Sequence, residues 1–328
     1  MIKKYGEAIR VASALNMSRA DWLLHRGAGI GSSDAAVAIG LSPYKSPLTL
    51  WLEKTKRKQP DDLSDKEAVI WGTVLEPTLA IEYAKRTGRK VRRVNSLLQH
   101  SEYPFMLANL DRETICPING TGILEIKTAG YHSAPQWEDG VPISYQCQVF
   151  HQLAITGHAW ADVAVLIGGQ DFRIYRIERD EAKICDLISR EQQFWSYVLN
   201  DVQPMPDGTL DASKALHWMY PRSNGLAVDW SDKSEFNLIF QDLLITRQQK
   251  DQIESKESLL KQQIQNALGE AEIGIFEGGR VTWRQSRSRT TPDIDKVSSE
   301  HPSLVAQHAK PEGSRRFLIQ PLKASATA

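Results

Sequence analysis

The sequence predicts an α/β protein in which helices flank a central β-sheet. Segments with a helical spacing of apolar residues alternate with short segments rich in β-branched and aromatic residues. Their order is helices, three strands, a helix, two strands and a helix. The chain has 328 residues, of which 41% are hydrophobic, so it can bury a sizeable core. No run of 18 apolar residues occurs, so no membrane-spanning helix is expected.

The first helices are predicted from the residues that begin and end them. Ser18 can cap a helix that carries Asp21 in its first turn, and the glycines within residues 27–31 end that helix. A second helix is predicted over residues 32–40 and a third over residues 48–56. A polar loop follows.

The middle of the chain carries the strand signals. A long helix is predicted over residues 67–86, with Gly88 as its C-terminal cap and a kink or break at Pro77. The later elements are strands over residues 91–99, 105–110 and 122–128, a helix over 144–156, strands over 162–167 and 172–177, and a helix over 179–199.

The composition changes after residue 202, and two domains are therefore predicted. Residues 1–203 form the core, and residues 204–328 form a C-terminal extension, which packs on that core or on a neighbouring subunit. The extension starts with a proline-rich connection. It continues with a helix over residues 235–268, or two packed helices because its middle is polar, and a hairpin over residues 274–288.

Charge and cysteine content restrict the function classes only weakly. The chain has 40 Lys and Arg against 40 Asp and Glu, although basic residues crowd residues 85–93 and 280–289. Each cluster could contact DNA or could simply be a solvated face. Cys116, Cys147 and Cys185 form no CxxC pair. With no signal-peptide pattern at the N-terminus, a cytoplasmic protein is expected.

Asp111, Glu125 and Lys127 form the constellation that indicates chemistry. Both acids lie at ends of strand-like segments, and the strand period of two places Glu125 and Lys127 on one face. Two carboxylates suit Mg²⁺ or Mn²⁺, and a nearby lysine can orient water or stabilise charge on a phosphate. A salt-bridged surface pair is the alternative interpretation of Glu125 and Lys127 alone.

The order of five short blocks resembles the YqaJ-like viral recombinase nucleases, a group of the PD-(D/E)xK superfamily that includes phage lambda exonuclease. The resemblance covers residues 22–179. The blocks are Arg26 followed by GSSD at 31–34, GTVLEP at 72–77, NLD at 109–111, LEIKT at 124–128 and YQCQV at 145–149. It implies a PD-(D/E)xK restriction-endonuclease-like core, with a mixed central sheet flanked by helices.

The resemblance also implies a catalytic metal centre. Asp111, Glu125 and the backbone carbonyl of Ile126 would bind Mg²⁺, for which Mn²⁺ would substitute. Lys127 would position the attacking water, and Glu76 would complete the acidic cluster directly or through water. Without the family, Glu76 could equally be a solvated helix residue.

The other implied roles concern DNA and its end. Gln148 would lie against the metal or the nucleophile, Arg26 and Ser33 would hold a terminal 5′-phosphate, and Tyr145 would line the same pocket. Ser33 would act at a helix N-terminus, which favours an anion. Alternatives are a helix cap for Ser33, a surface residue for Arg26 and a core amide for Gln148. Glu125 follows Asp111 by 14 residues, which predicts a long hairpin tip where Arg112 touches DNA.

The predicted function is therefore a Mg²⁺-dependent 5′-to-3′ exonuclease on double-stranded DNA. By resemblance, it would form a homo-oligomer such as a ring-shaped trimer and serve phage-type recombination with a single-strand annealing protein in a bacterial host cell. Two alternatives stay open, a structure-specific DNA endonuclease and a catalytically idle DNA-binding module. The arginines at 280–289 could track DNA.

Overall fold

The computed structural model describes residues 4–15, 17–285 and 294–303. The chain divides into two compact units, Met1–Tyr220 and Pro221–Ala328. Within the described residues, no helix is long and apolar enough to cross a membrane.

The first unit contains a mixed set of strands and helices. Its strands are β1 (Lys4–Tyr5), β2 (Ala8–Ser13), β3 (Ile30–Gly31), β4 (Lys90–Arg92), β5 (Ser96–Gln99), β6 (Met106–Ala108), β7 (Arg112–Cys116), β8 (Gly120–Ala129), β9 (Trp160–Ile167) and β10 (Asp171–Glu178). Its α-helices are α1 (Arg19–Gly27), α2 (Ala35–Ala38), α3 (Pro47–Lys54), α4 (Glu67–Thr87), α5 (Ile143–Thr156), α6 (Glu181–Leu199) and α7 (Leu210–Met219). Short 3₁₀ turns cover Ser32–Asp34 and Tyr131–Trp137.

Two mixed sheets organise this unit. The first has the order β1-β2-β5-β6-β3 and the second the order β10-β9-β8-β7-β4. In the second sheet β8 and β9 are parallel, and its other neighbouring pairs are antiparallel. A parallel pair needs a crossover connection, and α5 supplies it. The predicted α/β class is confirmed, and the mixed sheets are consistent with a PD-(D/E)xK-like core.

Helices cover both faces of the second sheet. On one face Leu124 and Ile126 of β8 pack with Leu79 and Tyr83 of α4. On the other face Ile123 and the inward residues of β9 pack with the apolar side of α5. Because side chains alternate along a strand, the residues of β8 between these apolar positions face α5. The predicted pairing of Glu125 and Lys127 on one face follows from this alternation.

The strand prediction over residues 91–112 needs correction. The predicted strand 91–99 is two strands, β4 and β5, which belong to different sheets. The predicted strand 105–110 shortens to β6 and lies in the first sheet, whereas the hairpin partner of β8 is β7, which was not predicted. The physical reason is that Arg112, Glu113 and Thr114 of β7 are buried polar residues, which give no apolar alternation.

Two helices also differ from expectation. α4 runs through Pro77 without a break. Pro77 has no backbone N–H, so the helical hydrogen bond to the carbonyl of Thr73 is missing. Thr73 is exposed, so water can bind that carbonyl instead. The connection after residue 203 contains α7, which Thr209 caps and which Asp211 ties to α3 by accepting from the Ser46 amide and hydroxyl at 2.8 Å each. The unit boundary therefore lies after Tyr220, not after residue 203.

The second unit contains one long helix and a hairpin. α8 (Ser234–Leu268) is continuous, so the alternative of two packed helices is not observed. β11 (Ile273–Phe276) and β12 (Gly279–Thr282) form the predicted hairpin, and α9 (Ile294–Glu300) follows. The predicted basic cluster at 280–289 lies partly outside the described residues, because Arg287 and Arg289 are not described.

A buried histidine–glutamate pair fixes α5 between α6 and the first sheet. His151 and Glu191 are fully buried, with His151 Nδ1 at 2.8 and 3.0 Å from the two Glu191 oxygens. The other ring nitrogen, Nε2, lies 3.1 Å from the carbonyl oxygen of Leu107. A carbonyl oxygen only accepts, so Nε2 donates to Leu107 and Nδ1 is left for the Glu191 carboxyl group.

We expect Glu191→Ala to destabilise the first unit by about 1–3 kcal/mol, because it leaves the buried Nδ1 of His151 without its hydrogen-bond partner. Urea unfolding followed by tryptophan fluorescence measures this loss. Asp201→Ala is the matched control, since it breaks the exposed Arg57–Asp201 pair and should change the free energy of unfolding little. Equal losses for the two variants would contradict the prediction.

Candidate active site

Asp111 and Glu125 lie on neighbouring strands of the second sheet. The last pair of the β7–β8 ladder joins Arg112 to Leu124, so Asp111 lies one step further, beside Glu125. The Asp111 carboxylate accepts a hydrogen bond from the backbone amide of Ile126, with Oδ2 at 2.9 Å from the nitrogen. The strand pairing therefore brings together the two acids that sequence spacing predicts.

Glu125 is a buried carboxylate surrounded by donors. Its Oε1 accepts from Lys127 Nζ and from Gln148 Nε2, both at 2.6 Å. Its Oε2 accepts from Gln152 Nε2 at 2.8 Å. Burial of a charge requires such pairing, and the donors come from β8 itself and from α5, which packs on that face.

Lys127 is held as a cation within the cluster. Its Nζ also lies 3.1 Å from Gln148 Oε1 and 5.1 Å from the ring centroid of Tyr145. Burial lowers the pKa of Lys127, but the Glu125 and Asp111 carboxylates raise it, and the net direction is upward. Lys127 can therefore donate hydrogen bonds and stabilise negative charge, and it carries a proton that it does not readily give up.

Tyr145 stands beside this cluster rather than in the predicted phosphate pocket. Its ring stacks on Trp137 with the centroids 5.4 Å apart and the planes 24° apart. Burial raises the pKa of the Tyr145 hydroxyl. The contact with Lys127 makes Tyr145 a wall of the catalytic cluster.

Asp111 is the electrostatically unusual group of the site. Burial, followed by the negative charge of Glu125, raises the pKa of Asp111 to about 7, although Lys127 and the Ile126 amide act in the opposite direction. Two like charges held close together in a partly desolvated site disfavour full ionisation. A divalent cation between them would remove that conflict.

The donor set fits one hard cation. A carboxylate offers about four lone-pair directions. Glu125 uses three of these on Lys127, Gln148 and Gln152, while Asp111 uses one on Ile126. Both acids therefore keep an oxygen lone pair for Mg²⁺, and the Ile126 carbonyl is the third proposed ligand. Among the described residues, no group of three His, Cys, Asp or Glu could hold a metal.

Glu76 and Arg112 form an ion pair next to the acidic cluster. Arg112 begins β7 with its side chain only 8% exposed, and it forms an ion pair with Glu76 and donates to the Asp111 carbonyl oxygen at 2.6 Å. It is not at a hairpin tip, since the tip lies between Cys116 and Gly120. A direct DNA contact by Arg112 is therefore not supported. Glu76 lies near enough to Asp111 for its negative charge to raise the pKa of that carboxyl group, so its predicted place in the acidic cluster stays a prediction.

Arg26 and Ser33 form a second polar group. Arg26 Nη2 donates to the Ser33 hydroxyl at 2.9 Å and to Asp34 Oδ1 at 2.7 Å. Lys54 Nζ donates to Asp34 Oδ2 at 2.9 Å and to the Arg26 carbonyl at 2.8 Å. Asp34 is buried, yet Lys54 and Arg26 hold its pKa well below its usual range. The acid therefore fixes the guanidinium beside the Ser33 hydroxyl.

The predicted helix start around Ser33 is observed, but the helical segment is short. Ser33 lies inside the 3₁₀ turn Ser32–Asp34, which leads into the four-residue helix α2. So short a helix has little dipole, and anion binding here must come from the Arg26 guanidinium and the Ser33 hydroxyl.

One cavity lies between this polar group and the candidate catalytic cluster. Its volume is about 150 Å³, and Arg26, Ser33 and Gln148 are among the residues that line it. Asn109, two residues before Asp111, and the buried Leu97 and Leu107 line it as well. Of the predicted catalytic residues, Gln148 lines this cavity together with the predicted end-binding pair, and Gln148 in turn contacts Glu125 and Lys127.

Three residues that contact the candidate site residues were not predicted from the sequence. Asp34 and Lys54 fix Arg26, and Gln152 binds Glu125. The spacing of Gln148 and Gln152, four residues apart within a predicted helix, was the signal for a shared face. No comparable signal joined Lys54 to Asp34, because they lie on different elements.

The basic stretch at 85–93 is partly a structural feature. Arg86 pairs with Glu82, Arg89 with Asp162, and Arg92 with Glu113. Asp162 and Glu113 are buried. Two of these arginines therefore neutralise buried acids, which favours the non-DNA interpretation for them.

Comparison with known proteins establishes the family. The YqaJ-like viral recombinase domain matches residues 21–159. Over 325 residues the chain is 35% identical to the uncharacterized protein YqaJ of Bacillus subtilis (strain 168), covering 98% of this chain and 99% of that protein. The chain belongs to the YqaJ-like viral recombinase family. These matches confirm the resemblance to YqaJ-like viral recombinase nucleases that the five sequence blocks indicate.

Two solved structures are also similar. An alkaline exonuclease (LHK-Exo) from Laribacter hongkongensis is 22% identical with a TM-score of 0.47, covering 56% of this chain and 94% of that one. A phage-related exonuclease from Haemophilus somnus 129PT is 13% identical with a TM-score of 0.38, covering 53% of this chain and 96% of that one.

The raised pKa of Asp111 predicts how stability without metal depends on pH. In native protein Asp111 keeps its proton up to about pH 7, whereas the unfolded chain releases it near about pH 4. Between these values the native state binds the extra proton, so this group makes stability fall as pH rises.

We therefore expect Asp111→Asn to gain melting temperature relative to the parent protein as pH rises through that window. Thermal unfolding in chelator at several pH values measures the difference. A difference that stays constant with pH would contradict the assignment.

Proposed function

We propose that this chain is a Mg²⁺-dependent 5′-to-3′ exonuclease that degrades one strand of double-stranded DNA from its ends. The observation that carries the proposal is the cavity that joins Arg26 and Ser33 to Gln148. Gln148 hydrogen-bonds both Glu125 and Lys127, which supports a path from the proposed anion-binding pair to the proposed catalytic cluster. Membership of a recombinase family supports DNA as the substrate.

The residues around the metal position have distinct tasks. Asp111, Glu125 and the Ile126 carbonyl would hold Mg²⁺, which when bound supplies charge stabilisation at the phosphate and activates water. Lys127 donates a hydrogen bond to the attacking water or to a phosphate oxygen. Gln148 bonds both Lys127 and Glu125 and so keeps the ammonium in place.

In the proposed reaction, water cleaves the phosphodiester that joins the terminal nucleotide to the rest of the strand. The water oxygen forms a new bond to phosphorus, the bond from phosphorus to O3′ breaks, and a proton ends on O3′. The released nucleotide has a 3′-hydroxyl and its own 5′-phosphate. The shortened strand carries a new 5′-phosphate, which suits the Arg26 and Ser33 pair for the next cycle, and the complementary strand is left as a 3′ single strand.

We further propose that the protein works as a ring-shaped homotrimer with a single-strand annealing protein. The formal net charge of zero supports a ring, because basic residues need only line a channel while acidic surface faces solvent. DNA would then stay enclosed between successive cleavages.

A substrate panel tests the proposal against its rivals. Linear duplex DNA with 5′-phosphate ends, the same DNA with 5′-hydroxyl ends and a closed circle are each incubated with Mg²⁺. Mononucleotide release from the phosphorylated linear duplex supports the proposal. Cutting of the circle would indicate an endonuclease, and binding without cutting would indicate an idle module.

We expect Lys127→Ala to lower the rate of hydrolysis by about 10²–10³-fold, because it removes a donor aimed at developing charge. DNA affinity should change little, which a filter-binding or anisotropy assay in Ca²⁺ checks. Lys85→Ala is the matched control, since Lys85 lies exposed on α4. An unchanged turnover for Lys127→Ala would remove Lys127 from its role.

We expect Arg26→Ala to reduce the preference for 5′-phosphate over 5′-hydroxyl ends by about 10-fold or more, since a charge-assisted hydrogen bond is lost. The ratio of initial rates on the two linear duplexes measures it. Ser33→Ala should act in the same direction with a smaller effect. If the ratio matches that of the parent protein, Arg26 does not bind the terminal phosphate.

A further inference from the structure

Gln152 places a polar side chain in the apolar interior between α5 and the second sheet. It lies one helical turn after Gln148, its side chain is fully buried, and its neighbours Val149 and Leu153 belong to the apolar core. Its Nε2 donates to Glu125 Oε2 at 2.8 Å. This is the contact that holds the second oxygen of the catalytic glutamate.

The oxygen of the Gln152 amide receives no comparable stabilisation. Gln152 Oε1 is buried and has no hydrogen-bond partner among the described residues. An unpaired buried carbonyl destabilises a fold, and an apolar side chain of the same size would not carry that cost. The orientation is also fixed, because a flipped amide would place its oxygen against the Glu125 carboxylate.

The backbone under Gln152 is firmly placed. The preceding residue, His151, is held by Glu191 and by the Leu107 carbonyl. The Gln152 carbonyl oxygen accepts from the Thr156 hydroxyl at 2.8 Å. The amide therefore cannot easily follow Glu125 if the carboxylate rotates.

The donors on Glu125 restrict how it can bind a metal. With Lys127 and Gln148 on Oε1 and Gln152 on Oε2, one of about four lone-pair directions is left, and it belongs to Oε2. Removal of Gln152 would free Oε2 and let the carboxylate turn. Groups that orient a metal ligand from behind typically set affinity by about 10–100-fold.

We propose that Gln152 is a positioning residue that holds Glu125 in its metal-binding orientation, so that Glu125 binds through a single oxygen. The inference rests on the proposed function, because it assumes the metal site at Asp111 and Glu125. It assigns to Gln152 a role in metal affinity and no contact with DNA.

The test compares Gln152→Met with Gln146→Met. Methionine keeps the length and volume of glutamine without its donor. Gln146 lies on the same helix and donates to the Val141 carbonyl at 2.7 Å, outside the catalytic cluster, so it serves as the matched control. Isothermal titration with Mn²⁺ in the absence of DNA measures metal affinity. Thermal unfolding in chelator measures stability, and Mg²⁺ titration of the hydrolysis rate separates metal requirement from the rate at saturating metal.

We expect Gln152→Met to weaken Mn²⁺ binding by about 10-fold or more. The Mg²⁺ concentration for half-maximal hydrolysis should rise by a similar factor, with most of the rate recovered at high Mg²⁺. Gln146→Met should leave both unchanged. A merely structural role would lower the melting temperature without shifting the metal requirement.

The outcomes separate the two proposals. A parent protein that binds Mn²⁺ and cuts DNA, with Gln152→Met unchanged in metal affinity, overturns the inference alone. A parent protein that binds no divalent metal overturns the proposed function and the inference with it. If Gln152→Met does not fold, Gln152→Asn replaces it, because its amide is one methylene too short to reach Glu125, and the same criteria apply.

Discussion

The buried Glu125 carboxylate carries a negative charge into a strand that is otherwise mostly surrounded by apolar side chains. The way α5 packs on the second sheet supplies the donors that stabilise this charge. One oxygen is bound by Lys127 and Gln148 and the other by Gln152. Two of these donors lie on α5, so the helix must pack on this face of the sheet. α5 is also the crossover between parallel strands, and the His151–Glu191 pair anchors it. A shift of α5 along its axis would leave the carboxylate without its amides.

Another buried acid of the same sheet shows how a fully paired carboxylate differs from the proposed metal ligand Glu125. Asp162 on β9 pairs with Leu124 of β8 in the ladder and is bound by Tyr83, Arg89 and Arg176. Two guanidinium groups and a phenol neutralise it, and Arg176 packs on the Trp160 ring at 3.8 Å. Glu125 is bound by one ammonium and two neutral amides, and the charge of that ammonium also acts on Asp111. The charge on the Glu125 side is incompletely compensated, which is the condition under which a cation binds.

Part of this arrangement could be predicted from the sequence. The alternation in residues 124–127 and the helical pattern of 144–156 identified β8, α5 and the face they share, because both segments follow simple apolar periods. The strand β7 could not be identified, since Arg112 and Glu113 are buried against partners that lie far away in sequence, Glu76 and Arg92. For the same reason Arg112 was expected at an exposed tip. The spacing of Gln152 from Gln148 indicated a shared helix face, but the partner of the Gln152 amide follows only from the packing of α5 against β8.

The net charge of the cluster formed by Arg26, Lys54 and Asp34 affects how the protein would distinguish a strand end from an internal phosphate. Two cations and one anion leave a single positive charge beside the cavity. An internal phosphodiester, with one negative charge, would neutralise it fully, whereas a terminal monoester with about two charges would overcompensate it. At the same distance the attraction to the monoester is about twice that to the diester, so the charge favours a strand end over an internal phosphate. Because dissolved salt screens such an attraction, this discrimination would depend on ionic strength.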